Sequence, residues 1–248
     1  MIYDAREWAR LRNAVLAVSA IAWIAILLQP RGASCCSANG AGGSWRMQIA
    51  ANPPRGLAID WALMLVAMMG PMLVAPLFHI RISSFARRRL RSMALFAVGY
   101  GAVWMAAGVV IVAMQLAASR RLPQSYLPAM MAGLVALVWQ ASPLKQRCLN
   151  RCHSHRPLAA FGFAADFDVL RFGSTTGLWC VGSCWLAMLF PLLLPEGHFA
   201  AMAAVALLMF SERLDPPRTP AWQWRGFGTA LRCIILRPRG PDPLTAGP

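Results

Sequence analysis

Two thiols four residues apart, Cys148 and Cys152, stand in the stretch SPLKQRCLNRCHSHRP (residues 142–157), followed at once by His153 and His155. A second pair, Cys180 and Cys184, repeats the spacing in GLWCVGSCW. A helix brings positions i and i+4 onto one face, so each pair makes a two-thiol face. Thiolates are the soft donors that suit Cu(I) or Zn(II), and four of them with an imidazole would complete a soft-metal site. A single Cys on an apolar segment is ordinarily packing. Two matched pairs on neighbouring segments point instead to ligation or redox work. Lys145, Arg147 and Arg151 surround the first pair and are expected to lower its thiol pKa values toward the metal-binding thiolate. His153 and His155 read either as auxiliary ligands or as solvated loop residues. CLNRCH carries one residue too many for the C-x-x-C-H signature of haem attachment.

A second soft series lies upstream. In LAIDWALMLVAMMGPMLVAPLFHI, Asp60, Met64, Met68 and Met72 follow at steps of four. Each step turns a helix by about 400°, so the series drifts ~40° per step yet keeps to one broad side. Thioethers are soft, neutral ligands for Cu(I) and also adaptable core filler. Asp60 reads either as a functional acid inside a membrane segment or as a hydrated residue at its rim. Pro71 and Pro76 should loosen the helix and free backbone carbonyls near its lower end.

Helices must position these groups, and composition says in what medium. Of 248 residues 58% are apolar and only 13% charged, with a mean hydropathy of +0.51. Six apolar runs, at 14–29, 57–80, 93–118, 126–141, 177–195 and 198–214, predict an all-α bundle of about six transmembrane helices. Lys and Arg outnumber Asp and Glu by 24 to nine, a formal charge of +15. The bases sit in clusters between apolar runs, which suits an anionic membrane face and not nucleic acid. Alternating the connections across the membrane leaves 19 of the 24 bases on one side. That side should be cytoplasmic, with both termini on it, in the inner membrane of a bacterium. The first run is expected to remain as an uncleaved span, because its head carries Asp4 and Glu7 and no small-x-small cleavage site follows it directly. Residues 1–218 then form one transmembrane domain and 219–248 a flexible Pro- and Arg-rich cytoplasmic tail. Cys35 and Cys36 fall in the outer loop, and Cys233 reads as interfacial packing.

With this topology both Cys pairs lie near the inner boundary, one just before the chain re-enters the membrane and one just after. The Met series descends toward them from outside. The segments DWALMLVAMMGPMLVAP, GYGAVW, SPLKQRCLNRCHS, GLWCVGSCWLAMLF and LLMFSERL resemble those of a bacterial family of unknown function. That family is described as predicted metal-binding integral membrane proteins, and some of its members are labelled copper chaperones. The likeness runs from about residue 60 to 214. Two departures stand out: Ser183–Cys184 where members have consecutive cysteines, and SER (Glu212, Arg213) where they have LEK. The resemblance implies metal binding and names neither the metal nor its direction of movement.

The expectation is therefore a non-enzymatic membrane protein that binds Cu(I), or else Zn(II), and serves metal handling or delivery. Its ligands would be Cys148, Cys152, Cys180 and Cys184, with His153 or His155 auxiliary. Met64, Met68 and Met72 would be stations of low affinity, and Asp60 an outer gate or a proton-coupled acid. Its partners would be the lipid bilayer and a metal-donor or metal-acceptor protein. One rival is a thiol–disulfide oxidoreductase coupled to quinone, which would favour C-x-x-C spacing on an oxidising side. Another is a structural or assembly subunit without metal. No G-x-S-x-G, P-loop or H-E-x-x-H motif is present.

Overall fold

The computed structural model describes residues 5–28, 54–122, 125–154, 157–159 and 161–224. His155, Cys35, Cys36, Cys233 and most of the expected tail lie outside these residues. The described chain is all helix. In order come α1 (Ala5–Leu28), α2 (Pro54–Met69), a 3-10 turn (Gly70–Leu73), α3 (Val74–Ser83), α4 (Arg89–Arg121), α5 (Leu127–Ala141), α6 (Pro143–Cys152), α7 (Gly162–Leu192) and α8 (His198–Leu214). Each of the six apolar runs falls on a helix, although Tyr126 and residues 193–195 lie just outside theirs. Four stretches are long and apolar enough to cross a membrane: α1, Arg55–Ser83, Ala86–Arg121 and α7. The pair α5–α6, bent by 69°, makes a fifth if it counts as one span. At 17 residues, α8 is shorter than those four. Apolar side chains also face outward, among them Ile21, Leu28, Val109 and Leu134. A solvated bundle would put polar groups there.

One boundary differs from the sequence reading. The run expected at 177–195 is only the later part of α7, which begins at Gly162. Its first turns carry Asp166, Asp168 and Arg171, charges that break the apolar pattern without breaking the helix. Asp166 pairs with Arg88 at 2.5 Å and with Arg91 at 2.7 Å. Glu7 of α1 lies 3.4 Å from Arg81 and 3.9 Å from Arg89. The start of α1, the end of α3 and the starts of α4 and α7 thus share one end of the bundle.

Proline chemistry explains how α1 attaches. Ala67 would ordinarily accept a hydrogen bond from the residue four ahead, but that residue is Pro71, which has no N–H. The freed Ala67 carbonyl instead accepts Ser19 Oγ at 2.6 Å and Trp23 Nε1 at 3.1 Å from α1. The same proline lies in the 3-10 turn that divides α2 from α3. At the centre, α4 and α7 pack backbone to backbone. A Cβ on Gly99 would come within 2.5 Å of Leu170 O, and one on Gly173 would strike Phe96 O. Small residues permit this approach where apolar surface alone gives helices little reason to associate.

Candidate metal centre

The bend after α5 sets the geometry. Ser142 leaves the helical region, and its Oγ accepts the Lys145 N–H at 3.1 Å, while Pro143 opens α6. This is ordinary N-capping with proline at the first helical position. The cap turns α6 inward and buries Lys145, whose Nζ lies 2.8 Å from Glu212 Oε1 of α8. Gln140 bridges the pair, its amide nitrogen donating to Glu212 and its oxygen accepting from Lys145. Trp139 Nε1 donates to Gly182 O at 3.2 Å, which fixes the end of α5 against the middle of α7. Asn150 exchanges hydrogen bonds with the Arg218 backbone at 2.7 and 3.2 Å, so the start of the tail covers α6.

Fixed in this way, α6 and α7 bring their thiols together. Cys152, Cys180 and Cys184 are buried and Cys148 is half-buried; none forms a disulfide. Cys148 Sγ lies over Gly182, where an added Cβ would meet it at 2.9 Å. Tyr100 OH of α4 donates to Cys180 Sγ at 3.2 Å, and Cys184 Sγ donates to Cys180 O at 2.9 Å. The Arg213 side chain of α8 is close enough to Cys152, Cys180 and Cys184 for its charge to act on them. One thiol of α6 and both thiols of α7 thus lie in the field of one cation. Among the described residues, no three His, Cys, Asp or Glu side chains gather closely enough to cage an ion. The four-ligand shell that Zn(II) takes is thus not assembled there.

The expectation that nearby bases would lower the α6 thiols is overturned. Burial pushes Cys148 up and Cys152 to about 12, and for Cys152 the opposing pull of Arg213 is the smaller effect. The charge of Lys145 already faces Glu212, Arg147 points to solvent, and the Arg151 guanidinium lies 5.3 Å over the Trp179 ring. Burial thus favours the protonated form of the α6 thiols, and a bound metal would displace their protons. His153 closes the end of α6, its Nδ1 2.8 Å from Leu149 O and its Nε2 3.2 Å from Arg213 O. Both ring nitrogens face backbone carbonyls.

Met64, Met68 and Met72 are buried in the same core cluster as Cys152, Cys180 and Cys184. Asp60 is half-buried one turn before Met64. The sequence reading passed over Tyr100, Gly182 and the Lys145–Glu212–Gln140 network. A buried base and acid at the ends of two apolar runs were the available sign of the network. Nothing in local spacing points to Tyr100. Residues 58–236 match a family model described as copper chaperone. No curated protein and no solved structure matches the chain.

Proposed function

This chain belongs to the copper chaperone family, and from that membership we propose that it is a multi-pass protein of the cytoplasmic membrane that binds Cu(I) and hands it to an acceptor protein. The chain crosses six times with both termini inside, so that its 19-to-5 division of bases follows the positive-inside rule. Cys152 and Cys180 are the principal ligands, with Cys184 and Cys148 flanking them. Met64, Met68 and Met72 hold the ion weakly on its way, and Asp60 attracts it at the outer rim. His153 would join only by leaving its two carbonyls.

The observation that supports this most is that Cys152 of α6 shares one apolar core with Cys180 and Cys184 of α7, beside the charge of Arg213. Binding replaces S–H by Cu–S bonds and releases a proton for each thiol used. Arg213 eases the resulting negative charge on the thiolates. Hand-over reverses the exchange onto the acceptor's thiolates, with no change in oxidation state and no covalent turnover.

The test is copper analysis of protein purified anaerobically from copper-supplemented cells. The wild type should retain copper, and Cys152→Ser/Cys180→Ser should lose most of it, because a hydroxyl is a hard and poorly ionised ligand. Equal copper in the two proteins would refute the site.

A further inference from the structure

We propose that Met188, Met202 and Met209 form a second wall of thioethers facing Met64, Met68 and Met72, and that the two walls together make a Cu(I) conduit ending at Cys184 and Cys180. This rests on the Cu(I) reading above and deepens it.

The placement begins on α7. Cys180, Cys184 and Met188 follow at steps of four and are all buried, so this helix carries two thiols and a thioether on one side. At ~1.5 Å per residue, Met188 stands about 6 Å beyond Cys184 along the helix. On α8, Met202 and Met209 are seven residues apart, two turns on one face, and both are buried. This helix packs against α7, α2 and the 3-10 turn that carries Met72. All six thioethers and both thiols of α7 belong to one core cluster.

Composition sharpens the point. Seven of the protein's 14 methionines, these six and Met69, are buried in that cluster. Leucine has nearly the same volume and would pack there equally well. What sulfur adds is a soft donor that carries no proton. A bare cation in an apolar interior is prohibitively unfavourable. Neutral thioethers on facing helices let Cu(I) pass by exchanging one Cu–S contact for the next, with no proton moved. Protons leave only at the terminal thiols, where metal binding becomes tight.

The experiment uses the full chain in proteoliposomes with a chromogenic Cu(I) chelator trapped inside and Cu(I) supplied outside under reducing conditions. Chelator colour gives the rate of passage, and copper content after purification gives retention. Met188→Leu and Met202→Leu should each slow passage several-fold while retention stays at the wild-type level. Met188→Ala, which removes the donor and the volume together, should slow passage at least as much. Met130→Leu, at an exposed position on α5, should change nothing. If the residues only fill space, Leu passes copper at the wild-type rate and only Ala is impaired, and the conduit is overturned. Should Met188→Leu fail to fold, Met202→Leu decides alone. A wild type that retains no copper would sink the Cu(I) reading itself; retained copper with unslowed Leu variants would sink only the conduit.

Discussion

Lys145 and Glu212 are among the most buried side chains in the molecule, and both carry charge. Removing one partner of such a pair strands the other, which typically costs about 3–5 kcal/mol, whereas replacing both by apolar groups is often neutral. Lys145→Met should therefore lower the melting temperature sharply, and Lys145→Met/Glu212→Leu should recover most of the loss in thermal denaturation. If the double variant melts no higher than the single one, the pair is not the unit of stability. Gly182 makes a different kind of contact, a gap into which Cys148 fits. Gly182→Ala should push that thiol outward and speed its alkylation, with Cys152, Cys180 and Cys184 still protected; an unchanged rate would place Cys148 elsewhere. The spacing of the cysteines was legible in sequence because a helix turns i and i+4 to one side. The surroundings that set their chemistry were not. Lys145 looked like a base beside the thiols, but its partner is 67 residues away, and burial outweighs charge at Cys152.

At the scale of elements, proline was readable and its consequence only half so. Pro71 had to free a carbonyl four residues back; that Ser19 and Trp23 would take it depends on α1 docking, which no local pattern states. Pro71→Ala returns an N–H to compete for that carbonyl. Trp23→Phe should then destabilise less in the Pro71→Ala background than alone, giving a non-zero coupling in a double-mutant cycle. Strict additivity of the two melting shifts would dissociate them. The α4–α7 crossing makes a harsher case, since Gly173→Val sets a branched side chain against the Phe96 backbone. It should abolish the folded protein, seen as loss of the monodisperse peak in detergent. The apolar runs found every major helix except the polar first turns of α7, where Asp166 is held by Arg88 and Arg91. Those partners are far away in sequence and leave no trace in local hydropathy.

For the whole molecule, the distribution of bases makes a prediction that length and apolarity cannot, because α8 is short and α5 ends in a bend. Reporter fusions at Gly40 and Gln124 should read outside and one after Arg218 inside; an outside reading for the last would overturn the six-span topology and the placement of the thiols. Helix lengths then differ widely: α4 and α7 run for 33 and 31 residues, α5 and α8 for 15 and 17. At ~1.5 Å per residue the short pair reaches about 22–25 Å, less than the ~30 Å of a typical hydrocarbon layer. A bilayer meets such a deficit by thinning beside the short helices, at fractions of a kcal/mol per Å. The ends of α5 and α8 that carry Gln140, Glu212 and Arg213 are also where the thiols gather. Headgroups drawn down on that flank would shorten the distance between the thiols and a docking acceptor. Longer acyl chains would bury the outlet and slow release of the ion, and shorter ones would uncover it. The thickness of the surrounding lipid would thereby set how readily copper leaves.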